Sequence, residues 1–224
     1  MKIKHLVLAF AISQSSLCWS QQSALPTDCS ANCEPVKVIV QAKMSLKKLD
    51  SSLAKLQSAL SDHYLSKDDQ KTIADQHTAW LGQLFTCGSD EPCIKQSYAR
   101  RKAYLSGKNP SAPLSGLFAS RGNGSVVLYP LQQSTSNPQS QIYLAQIQSV
   151  DRVRAKWTCE LSGNALYNNK KLIVMDKGKQ ASFDIEVESH RRLQIKDTDQ
   201  VRAVSSTACG LNGTFSFRYV RESM

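Results

Sequence analysis

Asp184, Glu186 and Glu188 alternate along one short segment, so in a strand their carboxylates would share a face. Two acids on one face could divide the proton-donor and nucleophile roles of a glycosidase. The solvated outer face of an ordinary strand produces the same pattern. His63 falls in a break between helical segments, and His77 lies on a helical seam beside Trp80. His190 sits in the charged turn Glu188-Ser-His-Arg-Arg192. Packing and solvent-facing roles suit these histidines better than acid–base work. The chain has no Gly-x-Ser-x-Gly, no His-Glu-x-x-His and no glycine-rich phosphate loop; Arg121-Gly-Asn-Gly124 reads as a turn. No catalytic set, metal site or cofactor site emerges.

The cysteines speak of compartment. Residues 1–20 read as a secretory signal: Lys2 and Lys4 precede the apolar run Leu6–Ile12, and Cys18 and Ser20 put small residues three and one before a cut after Ser20. The rival reading makes Cys18 a lipidated residue, but bulky Leu17 precedes it. Cleavage removes Cys18 and leaves six cysteines of seven: Cys29, Cys33, Cys87, Cys93, Cys159 and Cys209. An even set in an exported chain reads as disulfides, and the absence of Cys-x-x-Cys argues against zinc. A periplasmic or secreted protein is expected, with no membrane span in the mature chain.

Cleavage would also remove two positive charges from the net +10, leaving +8. Arg152, Arg154 and Lys156 have period two and would share a strand face, a surface for an anionic partner or simply a solubilising one. Nucleic acid is not expected, because no aromatics interleave the basic residues.

The elements that must position these residues change character along the chain. Ile39, Ala42, Leu46, Leu49, Leu53, Leu56 and Leu60 are spaced 3, 4, 3, 4, 3, 4, which predicts one helix over 36–61. Ser66 can cap a second helix running to Phe85, with Ile73, His77, Trp80 and Leu84 inward. Pro92 suits the first turn of a third, carrying Ile94, Tyr98 and Leu105. In an antiparallel hairpin Cys29 and Cys33 would approach Cys87 and Cys93. Cys33–Cys87 with Cys29–Cys93 is the favoured pairing, although spacing leaves the connectivity open. Each bridge is typically worth about 2–4 kcal/mol.

Residues 107–120 are rich in Pro, Gly and Ser and read as a linker. Beyond it the period becomes two. Strands are expected at 126–129, 141–147, 153–161, 171–175, 182–187, 193–196, 200–204 and 214–220. Turn signals such as Ser136-Asn-Pro138 and Lys177-Gly178 separate them. Cys159 and Cys209 most simply pair. The fold class expected is α+β: a disulfide-stapled three-helix domain over 29–106, then an antiparallel all-β sandwich or barrel over 121–224.

Gln76-His-Thr-Ala-Trp80 lies seven residues before Cys87, and Cys93 opens the helix with Tyr98-Ala-Arg100-Arg101 and Leu105. On these residues, the stretch 29–106 resembles the LprI-type lysozyme-inhibitor N-terminal domain. Ser162-Gly-Asn-Ala-Leu-Tyr167 followed by Lys177-Gly-Lys-Gln-Ala181 is similar to MliC-type inhibitors of c-type lysozyme. In that family a loop enters the enzyme cleft, and a Ser and a Lys meet the catalytic carboxylates. The resemblance nominates Ser162 and Lys177, with Tyr167 beside them, for partner binding. Together the two likenesses imply an exported, non-enzymatic envelope protein whose partner is a lysozyme. The competing expectation is a periplasmic immunity or structural protein that binds an acidic partner.

Overall fold

The computed structural model describes residues 23–28, 32–64, 66–131, 141–154, 156–168, 170–177, 182–210 and 212–223. The N-terminal stretch read as an export signal, Cys29, the Ser136-Asn-Pro138 turn and residues 178–181 lie outside the described residues. Among the described residues four helices come first: α1 (Glu34–Ala42), α2 (Met44–Ser61), α3 (Lys67–Phe85) and α4 (Glu91–Leu105). The single helix expected over 36–61 is divided at Lys43, whose backbone is extended (ψ 112°). The break turns Ala42 out to solvent, while Leu46, Leu53, Leu56 and Leu60 keep the buried seam. Asp90 caps α4 by accepting the Cys93 N–H at 3.3 Å. Its inward residues Ile94, Tyr98 and Leu105 are all buried.

Eight antiparallel strands follow: β1 (Gly116–Ala119), β2 (Gly124–Pro130), β3 (Gln141–Val150), β4 (Thr158–Asn168), β5 (Lys171–Asp176), β6 (Ser182–Ser189), β7 (Arg192–Gln194) and β8 (Arg218–Arg221). Each pairs with the next, and β8 returns to β1, closing a barrel. Closure removes the unpaired edges an open sheet would present.

The expected three-helix domain followed by an all-β domain is therefore corrected in two respects. Four helices precede the barrel, and a fifth, α5 (Asp199–Ala208), lies between β7 and β8, where a strand was expected at 200–204. The Thr198 hydroxyl accepts the Val201 N–H at 3.2 Å and starts α5. Val201, Val204 and Ser205 form its buried stripe. Three-and-four spacing thus outweighs the β propensity of the two valines.

The helices also do not stand apart. β2 is buried on both sides: Val126 and Leu128 join the barrel interior, while Val127 and Tyr129 join the helical core with Leu144 of β3. Residues 107–120, read as a linker, instead carry β1 and buried Ala112, Leu114 and Ser115. Arg221 fixes this segment, donating to the carbonyl oxygens of Ser106 (2.8 Å) and Pro113 (2.7 Å), with its guanidinium 4.7 Å from the Phe118 ring centroid.

The disulfides differ from the favoured pairing. Cys87 is bonded to Cys93 across the turn between α3 and α4, so neither reaches the start of α1. Cys33 is disulfide-bonded too, but to neither of those two. Cys159–Cys209 forms as expected, tying β4 to the end of α5.

Candidate functional site

Ser162 and Lys177 are fifteen positions apart in sequence but adjacent in space. β4 and β5 pair Gly163 with Asp176, and the Lys177 N–H points to the Ser162 carbonyl at 3.4 Å. The ladder can close this tightly because residue 163 is glycine. A Cβ there would lie 1.9 Å from the Met175 carbonyl oxygen. Along β4, Cys159, Leu161, Gly163 and Ala165 are buried, while Ser162 and Asn164 alternate with them and are partly exposed. Ser162 is therefore on the outer face. Tyr167 is partly buried and packs against the barrel core.

The Lys177 ammonium forms an ion pair with Asp69 Oδ1. Asp69 belongs to the first turn of α3, where the helix dipole favours a carboxylate. Its side chain is fully buried, and its second oxygen, Oδ2, has no hydrogen-bond partner among the described residues. Lys177 remains 39% exposed, so the pair is wet on one side and dry on the other. Neighbouring Tyr64 secures α3 against the barrel: its hydroxyl donates to the Leu144 carbonyl at 2.7 Å and accepts the Tyr129 N–H at 3.2 Å. Burial raises the Tyr64 phenol well above its ordinary pKa, and the nearby Asp69 charge adds to the rise.

A second polar cluster surrounds Asp50, which is 5% exposed. It accepts from the Ser23 hydroxyl at 2.6 Å, the Ala24 N–H at 3.1 Å and the Tyr98 hydroxyl at 2.8 Å. Burial first, then the Asp50 charge and hydrogen bond, drive the Tyr98 pKa far upward. His77 Nε2 meets the Ala24 carbonyl at 2.8 Å, which binds the segment before α1 to α3. The helical spacing put His77 on the inward face; its link to Ala24 has no sequence signal.

The other candidates disperse. Arg152 and Arg154 lie in a turn after β3, not on a strand, and Lys156 precedes β4, so the expected common basic strand face does not form. Asp151 organises that turn, its Oδ1 accepting the Val153 and Arg154 N–H groups at 3.0 and 3.1 Å. Asp184, Glu186 and Glu188 do share the outer face of β6, but each faces a cation. The partners are Lys171 at 2.9 Å, Lys196 at 2.6 Å and Arg218 at 2.8 Å. Among the described residues no group of three metal-ligating side chains converges, and no helix is long and apolar enough to cross a membrane.

A groove of about 700 Å³ along α2 and the end of α4 is lined by Lys47, Lys48, Lys55, Lys102 and Lys108 and by no carboxylate. Comparison of the chain with family models, curated proteins and solved structures finds no match.

Proposed function

We propose that the protein is an exported envelope protein that inhibits a lysozyme by occluding its cleft, without turnover or cofactor. The observation that carries this reading is the side-by-side placement of Ser162 and Lys177 on the outside of a closed barrel. An outward hydroxyl and an ammonium at one rim are the groups needed to meet a glycosidase's paired carboxylates. Asp69 holds Lys177 in place in the free protein, and the solvent-facing part of the ammonium is what a carboxylate of the enzyme would meet. Disulfides such as Cys87–Cys93 and Cys159–Cys209 suit an oxidising compartment.

The test is a titration of the oxidised protein against c-, g- and i-type lysozymes, read as residual cell-wall hydrolysis. Stoichiometric inhibition of the c-type enzyme, weakened by Ser162→Ala in a protein of unchanged melting temperature, is the expected result. Full hydrolysis at micromolar excess in every class would overturn the reading.

The five-lysine groove favours a second reading, an interaction protein with an acidic partner. Its signature is partner capture that weakens steeply with salt and is lost when Lys48 and Lys55 become Gln, with no effect on any lysozyme.

A further inference from the structure

Arg101 of α4 is 7% exposed, yet among the described residues it makes no ion pair. Its Nη2 donates to the Tyr129 hydroxyl at 2.8 Å, and its guanidinium lies 6.0 Å from the Trp80 ring centroid. Its Nε is buried and has no hydrogen-bond partner among the described residues. A guanidinium taken from water normally demands a counter-charge, and a buried donor left idle is destabilising. Tyr129 and Trp80 supply a neutral acceptor and a π face, but no negative charge.

Arg101 lines a cavity of about 480 Å³ between α3 and α4, with Trp80, Arg100, Gln83, Ser97 and Asn109 around it. The Cys87–Cys93 bridge forms part of its wall and fixes the turn joining the two helices. No acidic residue lines it. The volume falls within the range of small-ligand sites, and the lining offers two guanidinium groups beside neutral amide and hydroxyl groups.

We infer that this cavity binds a small polar carboxylate, its anion on Arg101 and Arg100 and its hydroxyl or amide groups toward Gln83, Ser97 and Asn109. Planar guanidinium groups match a carboxylate's two oxygens, which gives direction as well as charge. A sugar acid and a peptide C-terminus both present this chemistry. The site is separate from Ser162 and Lys177 and does not depend on the lysozyme reading.

The experiment titrates the full oxidised chain with glucuronate and with N-acetyl-dialanine, following tryptophan fluorescence and binding heat. The methyl ester of the first and the amide of the second serve as uncharged twins. Saturable binding by at least one acid, with its neutral twin at least ~10-fold weaker, is expected. Which acid binds better distinguishes the sugar source from the peptide source. Arg101→Gln should weaken binding at least ~10-fold and Arg100→Gln about 3-fold or more, whereas Arg154→Gln, an equal charge change outside the cavity, should leave it within ~2-fold. If Arg101→Gln fails to fold, the exposed Arg100 variant decides. Equal binding of acid and neutral twin, equal loss in Arg154→Gln and Arg100→Gln, or no saturable binding up to about 10 mM would overturn the inference.

Discussion

Asp69 and Lys177 join the helical layer to the β5 end of the barrel through one ion pair, in which the carboxylate is fully buried and the ammonium partly exposed. The asymmetry fixes what each substitution does. Removing Lys177 strands a buried anion; removing Asp69 releases a cation that water already touches.

Lys177→Ala should therefore destabilise the protein by about 2–4 kcal/mol, below the top of the range for broken buried pairs because Lys177 is partly solvated. Asp69→Asn should cost less, and adding it to Lys177→Ala should recover part of the loss. Urea titrations of the three variants measure this. Equal losses in both single variants would contradict the asymmetry. The resemblance nominates Lys177 for partner binding alone; the ion pair gives it a part in stability as well, so inhibition assays on Lys177 variants need the Asp69→Asn background.

His77 makes the fold sensitive to mild acid. Burial lowers its pKa below the ordinary histidine value, outweighing the Ala24 carbonyl that favours the charged form. Its Nε2 proton serves that carbonyl, so protonation would place a proton on Nδ1, which is buried without a partner. The unfolded state then binds the proton more readily. Stability should be full above about pH 6.5 and fall as pH drops through the unfolded-state value, levelling off below the folded-state value. Melting temperature against pH for the parent and for His77→Gln tests this, the variant losing that part of the slope.

The two bridges should differ in worth because they close loops of different length. Cys159–Cys209 spans 50 positions and Cys87–Cys93 spans 6. Chain-entropy arguments give about 4 kcal/mol for the first and about 2 for the second. Paired Cys→Ser variants, compared by denaturant midpoint, should show the larger loss for the β4–α5 bridge.

Tyr64→Phe removes the hydroxyl that serves both Leu144 and Tyr129. Two buried backbone groups each lose a partner, so a loss of about 1–3 kcal/mol is expected. Amide hydrogen exchange should quicken first at Tyr129, whose N–H donates to that oxygen. Faster exchange spread evenly over the chain, with none concentrated there, would show that the hydroxyl is not the local anchor.

Much of this architecture was legible because short-range periodicity carries it. The Leu46-to-Leu60 seam, the inward face of α4 and the alternation in β6 follow directly from spacing. What escaped was set by tertiary partners. Nothing in the heptad marks the break at Lys43, since the apolar steps run through it. Gly116–Ala119 looked like linker because Pro, Gly and Ser crowd the residues leading into it, and β8, the partner that closes it into the barrel, lies far along the chain. Val201 and Val204 suggested a strand, although Thr198 and Asp199 ahead of them were a readable helix start. At the site, a motif pattern nominated Ser162 and Lys177, but Asp69 lies 108 positions from its cation. The unpaired state of Arg101 cannot be read from any local pattern.

β2 has apolar side chains on both faces, and this removes the usual guard against register slip. In a strand with one wet face, a shift of one residue sends charges inward and is heavily penalised. Here the shift would exchange Val126 and Leu128 for Val127 and Tyr129, one greasy set for another. Polar landmarks must hold the alignment instead. Arg101 on the Tyr129 hydroxyl and Tyr64 on the Tyr129 N–H recognise one residue by both its tip and its backbone. Gly124 adds a steric stop, since a Cβ there would meet the Gln148 carbonyl oxygen at 2.1 Å. The helical layer thus acts as a ruler for the barrel, reading off the position of its second strand.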